Sequence, residues 1–166
     1  MFKLHGFSLF ELLIVITLIT VVAGVSIPSY SHFIAVTRQQ TVRSQLMHAI
    51  SYARSEAMLR EVPVSICGTE DFVNCSSSWQ RGLMVFADDQ IIYIFDYAIG
   101  DGVLHWRAAF NANFLRINPV SLMSDEHGTF WFCAGGGEKA AWAVMVSETG
   151  RAREVVDVVE LQRFAC

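Results

Sequence analysis

The sequence predicts an α+β protein in which one long N-terminal helix, its first half in a membrane, packs on an antiparallel β-sheet domain. Three observations support this prediction. An apolar run covers residues 7–27, an apolar stripe with helical spacing extends to residue 57, and short β-type runs begin at residue 64. With 166 residues, the chain has room for one modest globular domain beside the membrane segment.

The composition is more apolar than that of a typical soluble domain. Hydrophobic residues make up 53% of the chain and the mean hydropathy is +0.39, with the excess concentrated near the N-terminus. The formal net charge is -4 at pH 7. No overall field would therefore draw the protein to nucleic acid or to an anionic membrane, and a site for a polyanion must be a local patch.

Residues 7–27 predict a transmembrane helix. They carry one charge, Glu11, and as a helix they would span roughly 32 Å at about 1.5 Å per residue, enough to cross the hydrocarbon core of a bilayer. Lys3 is the only fixed charge ahead of this run. The positive-inside rule therefore predicts a cytoplasmic N-terminus and an extracytoplasmic location for the rest of the chain.

The same apolar run is also compatible with an ordinary secretory signal, cut near Ala23 and Gly24. Two features oppose that interpretation. A carboxylate inside a bilayer costs roughly 3 kcal/mol, which an expendable signal has no reason to carry, so Glu11 is a candidate functional residue. The helical pattern also continues beyond the apolar run.

The helix is predicted to continue after the membrane segment. Pro28 would kink it, because proline has no N–H for the carbonyl four residues earlier. Five apolar residues then recur at helical spacing and form a stripe: Val42, Leu46, Ile50, Ala53 and Ala57. Pro63 disfavours a helical conformation in the residue before it, so the helix should end near residue 61.

Four arginines of this helix lie off the apolar stripe: Arg38, Arg43, Arg54 and Arg60. A basic face for nucleic acid is one interpretation of them. However, the four do not share one line along the helix, and charged residues on a helix usually face solvent. We therefore interpret them as a solvated face.

Eight short runs after the helix have the composition of β-strands. They are residues 64–67, 82–86, 91–95, 103–107, 114–117, 129–133, 141–146 and 153–159. Turn residues separate them, at 87–90, 100–102, 135–137 and 148–150. Because the connections are short, we expect antiparallel hairpins rather than crossover helices, and hence a β-domain covered by the helix.

Four cysteines lie on the C-terminal side of the apolar run: Cys67, Cys75, Cys133 and Cys166. If that side is extracytoplasmic they can form disulfides, and the short spacing favours Cys67 with Cys75, which leaves Cys133 with Cys166. Metal binding is the alternative, but none of the C-x-x-C spacings that suit tetrahedral zinc is present. We therefore predict two disulfides.

The start of the chain resembles a processing motif. The sequence from Gly6 to Glu11, GFSLFE, is similar to the cleavage site of type IV prepilins and pseudopilins. The resemblance implies that a prepilin peptidase cuts between Gly6 and Phe7, and that the new N-terminal Phe7 is methylated. It also implies that Glu11 pairs with the N-terminal amine of a neighbouring pilin subunit during assembly, which would compensate the buried carboxylate.

Further parts of the sequence resemble the subfamily that joins the GspH pseudopilin of type II secretion to the FimU and FimT minor pilins. They are YARSEA at 52–57, VSIC at 64–67, GTFWFC at 128–133 and VSETGR at 146–151. The resemblance implies the type IV pilin fold. It also implies a protein of the bacterial inner membrane whose C-terminal domain is periplasmic and which then enters a pilus filament.

The resemblance divides the chain into four segments. They are a cytoplasmic leader of residues 1–6, a transmembrane and assembly segment of residues 7–27, an amphipathic half-helix of residues 28–61 and a β-domain of residues 62–166. The resemblance also implies the partners of the protein, which would be other pilins, the prepilin peptidase and the inner membrane.

The cluster from Gly150 to Arg153, GRAR, is the candidate binding site. If Gly150 closes a hairpin, Arg151 and Arg153 are two residues apart on the outgoing strand and project from the same face. Two adjacent guanidiniums repel unless an anion bridges them, and their geometry suits phosphate. The cluster resembles the Gly-Arg-x-Arg element of FimT-type minor pilins, which implies that both arginines contact DNA phosphates without reading sequence. Lys139 would enlarge the patch if folding brings it near, as would Arg107, Arg116 and Arg163.

The same cluster also has a purely structural interpretation. A Gly-Arg pair at this hairpin is common across the wider subfamily, including members with no role in DNA binding. Glu148 or Glu154 could neutralise both arginines locally. Under this interpretation the hairpin only packs against neighbouring subunits.

Three functions are compatible with these features. The first is a minor pilin that joins a type IV pilus at low copy and binds DNA during natural transformation. The second is a structural subunit, either a minor pilin that primes pilus assembly or a pseudopilin of type II secretion. The third, an enzyme, rests on no motif, because the histidines are scattered and no nucleophile elbow, P-loop or metal motif is present. We therefore predict no catalytic residue, no metal and no cofactor.

Overall fold

The structure is a computed structural model that describes residues 8–97, 99–110, 112–119, 127–155 and 157–166, and for residues 25–29 the backbone alone. The chain divides into two compact units, residues 1–37 and residues 38–166. Helix α1 (Leu9–Arg60) begins in the first unit and ends in the second, as one continuous element.

In the first unit, α1 exposes its large apolar side chains. They are Leu9, Phe10, Leu12, Leu13, Ile14, Val15, Ile16, Leu18, Ile19, Val21, Val22, Tyr30, Phe33 and Val36. The hydroxyls of Thr17 and Thr20 donate to backbone carbonyls three residues earlier, both at 2.8 Å, so the helix itself satisfies them. Among the helical residues whose side chains are described, no stretch is both long enough and apolar enough to cross a membrane.

In the second unit, the predicted apolar stripe of α1 is buried. Val42, Leu46, Ile50, Ala53 and Ala57 are all at most 1% exposed. The helix ends at Arg60, one residue before the predicted end, and Glu61 takes a positive φ of 57° ahead of Pro63. The packed half of the helix and its end are therefore confirmed.

Eight strands follow α1 and form two four-stranded antiparallel sheets. Sheet A has the order β3-β2-β1-β5 and consists of β1 (Val64–Thr69), β2 (Gly82–Ala87), β3 (Gln90–Asp96) and β5 (Phe114–Ile117). Sheet B has the order β4-β6-β7-β8 and consists of β4 (Val103–Ala108), β6 (Gly128–Cys133), β7 (Trp142–Val146) and β8 (Ala152–Val155). The strand predictions for β1 to β7 agree with these bounds to within two residues at each end.

The last predicted strand, residues 153–159, is wrong in its second half. β8 ends at Val155, and helix α2 (Val158–Leu161) follows. The side chain of Asp157 caps α2 by accepting the backbone N–H of Val159 at 2.9 Å. Val158 and Val159 of α2 are residues that favour strands, but both are exposed and neither pairs with β7. The cap by Asp157 therefore stabilises a helix here.

Helix α1 and both sheets share one hydrophobic core. Its fully buried side chains include Leu46 from α1, Ile66 and Leu115 from sheet A, and Phe130 and Phe132 from sheet B. Strand residues alternate between faces, so the other face of sheet B carries a second, smaller apolar cluster. Its members are Trp131, Cys133, Ala140, Ala143 and Val155, packed against Met145, Leu161 and Phe164.

Both predicted disulfides are present. Cys67 bonds Cys75 and closes the loop after β1, and Cys133 of β6 bonds Cys166 at the end of the chain. The indole N–H of Trp131 also donates to a backbone carbonyl of the C-terminal segment, at 3.2 Å. These contacts hold the last residues against sheet B, next to the strand that carries the candidate site.

Candidate nucleic-acid interface

A tight hairpin joins β7 to β8 and carries the predicted binding cluster. The carbonyl of Ser147 accepts the N–H of Gly150 at 2.8 Å, and the carbonyl of Arg151 accepts the N–H of Ser147 at 3.0 Å. Gly150 has a φ of 66°, in the left-handed region that glycine adopts without strain. The predicted turn at 148–150 is therefore confirmed, and it makes Arg151 the first residue after the turn.

Arg151 is exposed and lies beside α1. It lines a groove of about 380 Å³, which we name the α1–β8 groove. The lining residues are Ser51, Arg54, Ser55 and Met58 of α1 together with Gly150, Arg151 and Ala152. None of these lining residues is acidic, and two of them are arginines, so the local charge is positive.

Contacts further along β8 hold this strand against α1. Ala152 packs on the common core, and Glu154 forms an ion pair with Arg43 of α1. Because the residues within β8 alternate between faces, Ala152 and Glu154 face α1, whereas Arg153 faces away from it. Arg151 precedes β8 at the end of the turn, so it lies outside this alternation and lines the groove beside α1.

Arg153 therefore has different surroundings from Arg151. Its Nη2 atom is 3.3 Å from the Sδ of Met145, which lies opposite it in β7, and 3.4 Å from Oε1 of Glu160 in α2. The side chain of Arg153 is 59% exposed and that of Glu160 is 27% exposed. Solvent screens this ion pair, but the carboxylate still competes with any external anion for Arg153.

The two carboxylates that the sequence offered as neutralising partners lie next to other groups. Glu154 pairs with Arg43, and Oε1 of Glu148 is 3.9 Å from Nε2 of His127. Within the described part of the chain, no carboxylate forms an ion pair with Arg151. Of the two predicted arginines, Arg151 is thus the one whose charge is available to an external anion.

Three other predicted basic residues, Lys139, Arg107 and Arg116, have surroundings of their own. Lys139 is exposed and precedes β7, whereas Arg151 follows it, and the five residues of β7 alone separate the two by roughly 17 Å. The guanidinium of Arg107 lies 5.2 Å from the ring centroid of Trp131 on sheet B, and Arg116 belongs to sheet A. Arg107 and Arg116 each contact an aromatic ring of their own sheet, and Lys139 lies beyond the end of β7 that is far from Arg151.

The predicted processing and assembly residues belong to the first unit. Gly6 and Phe7 lie outside the described residues. Glu11 is exposed in the first turn of α1, among the exposed apolar side chains. Among the described residues, no group of three or more His, Cys, Asp and Glu side chains could hold a metal ion.

Arg54 also lines the α1–β8 groove, although the sequence predicted that this residue lies on a solvated helix face. It is half-buried, and its Nε atom is buried without a hydrogen-bond partner among the described residues. The available signal was its position, because Arg54 directly follows the buried Ala53 and has Ile50 and Met58 four residues away on either side. The sequence could not show that Arg151 lines the same groove.

A long helix packed on antiparallel sheets that share its core is the architecture of a type IV pilin. Two crystal structures of the type IV minor pilin FimU from Pseudomonas aeruginosa PAO1 have a similar fold, with TM-scores of 0.55 and 0.56 and 18% sequence identity. Each alignment covers 76% of this chain, and 96% and 91% of the two FimU chains. At this identity the likeness shows the fold alone.

A family model described as Type II transport protein GspH matches residues 42–150, about two thirds of the sequence. The chain therefore belongs to the GspH family, and it is a minor pilin or pseudopilin. No curated protein matches it significantly. The predicted pilin fold and the predicted subfamily are confirmed. The family match ends at Gly150, so Arg151 and Arg153 lie immediately beyond it.

Proposed function

We propose that this protein is a minor pilin that joins a type IV pilus at low copy and binds DNA non-specifically during natural transformation. The exposed guanidinium of Arg151 carries this proposal, because no carboxylate within the described residues pairs with it. A guanidinium without a local counter-charge attracts phosphate, and contacts to phosphates carry no sequence information. The resemblance of residues 150–153 to the Gly-Arg-x-Arg element of FimT-type minor pilins supports the same function.

The three predicted DNA contacts would contribute unequally. Arg151 would contribute most, and Arg153 less, because it shares its charge with Glu160. Lys139 would reach a different phosphate of the same duplex. With so few contacts and a formal net charge of -4, binding should be weak and sensitive to salt.

In this proposal the N-terminal segment is cleaved by a peptidase, and its remaining part anchors the subunit in the membrane. A prepilin peptidase removes residues 1–6 by cutting between Gly6 and Phe7, and Phe7 is N-methylated. Residues 7–27 then hold the chain in the bacterial inner membrane, with the C-terminal domain in the periplasm, until the subunit enters the filament. The exposed apolar side chains of residues 9–22 support this, since such a surface needs lipid or neighbouring helices to cover it. Glu11 would pair with the N-terminal amine of a neighbouring pilin.

Binding of the full-length protein to labelled duplex DNA tests the proposed function. In nonionic detergent, fluorescence anisotropy should show binding at low salt that weakens as salt rises, because phosphate contacts release counterions. Replacing Arg151 and Arg153 by glutamine should abolish it. The matched control replaces Arg60 and Arg81, whose guanidiniums bond Glu56 and a backbone carbonyl away from the hairpin, and it should retain binding. Binding that resists both salt and the first double substitution, or no binding at low salt, would contradict the proposal.

A structural subunit without DNA binding is the second candidate. It would be either a minor pilin that primes pilus assembly or a GspH-type pseudopilin of type II secretion. Two observations favour it: Glu160 already pairs with Arg153 inside the chain, and the family carries the name of a type II transport protein. For this candidate, loss of the protein would reduce filament assembly or secretion, and the purified chain would not bind DNA at low salt.

A further inference from the structure

Arg54 lines the α1–β8 groove and is half-buried. Its Nε atom is buried and has no hydrogen-bond partner within the described part of the chain. A buried N–H that has lost water without gaining an acceptor destabilises the fold, and the effect is larger for a charged group. Because water does not reach Nε, an anion in the groove would bond the terminal Nη atoms of the same guanidinium instead.

The sequence of α1 offers Arg54 no local counter-charge. Its neighbours at three and four residues along the helix are Ile50, Ser51, Ala57 and Met58. Glu56 is two residues away and bonds the guanidinium of Arg60 instead. Arg54 therefore resembles Arg151 in having no carboxylate partner among the described residues.

The two arginines line the same groove, and hydroxyl groups accompany them. Two guanidiniums that share a groove repel each other unless an anion lies between them. The hydroxyls of Ser51 and Ser55 donate to backbone carbonyls of α1 at 3.0 and 2.8 Å, and each can rotate to donate to an anion instead. Donors from α1 and from the β7–β8 hairpin therefore surround one volume.

We propose that the α1–β8 groove binds one phosphodiester group of the DNA backbone between the guanidiniums of Arg54 and Arg151. This inference rests on the proposed DNA binding and deepens it, because it assigns a pocket to one phosphate and adds Arg54 to the contacts. The phosphodiester has two non-bridging anionic oxygens, and each can accept from a guanidinium on a different wall of the groove. Ser51 and Ser55 would add neutral hydrogen bonds.

A double-mutant cycle on the full-length protein in nonionic detergent tests the inference. Arg54→Gln and Arg151→Gln should each weaken binding to labelled duplex DNA about three- to tenfold. Each should also lower the salt slope, which is the steepness with which the logarithm of the binding constant falls with the logarithm of the salt concentration, by about one. The double variant should lose less than the product of the two single losses, because both arginines hold the same phosphate. Arg60→Gln is the matched control, since Arg60 carries the same charge on the same helix but bonds Glu56 outside the groove.

A second measurement covers the case in which Arg54→Gln perturbs the fold. Inorganic phosphate is added to the wild-type full-length protein, and NMR records the arginine Nε–H signals. Phosphate should shift the signals of Arg54 and Arg151 and leave that of Arg60 in place, whereas sodium chloride at equal ionic strength should shift none of them. Equal shifts with both salts would overturn the inference.

The outcomes separate this inference from the proposed function. If Arg151→Gln weakens DNA binding while Arg54→Gln behaves like Arg60→Gln, the DNA function stands and the groove assignment is wrong. If phosphate shifts both groove signals but no DNA binds at low salt, the groove takes free phosphate only, and both the DNA function and this inference are overturned. If Arg54→Gln reduces filament assembly without changing DNA affinity, the groove takes a carboxylate of a neighbouring subunit, and the inference is overturned.

Discussion

Replacing Glu160 by glutamine should strengthen DNA binding, because this carboxylate holds Arg153 within the chain. Oε1 of Glu160 is 3.4 Å from Nη2 of Arg153, and the two side chains are 27% and 59% exposed. Solvent screens such a pair, but Glu160 is partly buried, so we assign to it about 0.5 to 1 kcal/mol, in the upper half of the range for surface ion pairs. At about 1.4 kcal/mol for each tenfold change, release of Arg153 corresponds to an affinity gain of about two- to fivefold.

Fluorescence anisotropy of the full-length protein with labelled duplex DNA measures this gain, and Glu148→Gln is the matched control. Glu148 also carries one negative charge near sheet B, but it faces His127 rather than an arginine. We expect a larger gain for Glu160→Gln than for the control, and a salt slope steeper by about one, since one more guanidinium reaches a phosphate. Equal gains would show that only net charge matters. No gain would show that Arg153 lies outside the interface.

Three further predictions concern processing and stability. Gly6→Leu should leave the leader attached, and mass spectrometry of the wild-type protein should find methylated Phe7 at the N-terminus; a start after the apolar run would indicate a secretory signal instead. Replacing Cys133 and Cys166 by alanine should lower the free energy of unfolding by about 4 kcal/mol in urea denaturation, because the bond spans a sequence separation of 33. Leu46→Ala should lower it by about 3 kcal/mol, because this core side chain is 0% exposed.

The two stability predictions have their own contradicting results. A loss below about 1 kcal/mol on removing the Cys133–Cys166 bond would show that the C-terminal segment is restrained by its packing rather than by the disulfide. A change within about 0.5 kcal/mol for Leu46→Ala is typical of surface positions and would show that this side of α1 is not packed in the core. Arg60→Gln, an exposed substitution on the same helix, serves as the reference for both.

Local signals in the sequence were sufficient for most elements of the fold. The spacing from Val42 to Ala57 identifies the buried side of α1, because a helix brings every third or fourth residue to one face. Pro63 marks the end of this helix, because it disfavours helical backbone angles in the residue before it. Gly150 marks the last hairpin, because glycine adopts a positive φ without strain. The disulfide pairing followed from spacing alone.

The sequence could not predict how the strands divide into two sheets. β5 pairs with β1, so that Arg116 lies opposite Ser65. Nothing in the composition of the intervening strands β2, β3 and β4 indicates this pairing. Such contacts depend on register between distant segments. The predicted end of β8 was wrong for a local reason, because Val158 and Val159 suggest a strand while the cap by Asp157 favours a helix.

The candidate site was only half visible in the sequence. The hairpin and its two arginines could be predicted from the Gly-Arg-x-Arg pattern, but their surroundings could not. Glu160 reaches Arg153 because α2 turns the chain back, and Arg54 joins Arg151 because β8 lies along α1. Which arginine keeps its charge available is therefore a property of the tertiary structure.

DNA uptake by cells that produce the Arg151→Gln/Arg153→Gln variant of this protein is the most direct test of the proposed function. The same cells should be examined for the variant subunit in sheared filaments, so that a failure of assembly is distinguished from a failure of DNA binding. We predict that uptake falls close to the level of a strain that lacks the protein, while the variant subunit is still found in the filaments. Uptake at the wild-type level with the variant present in the filaments would contradict it.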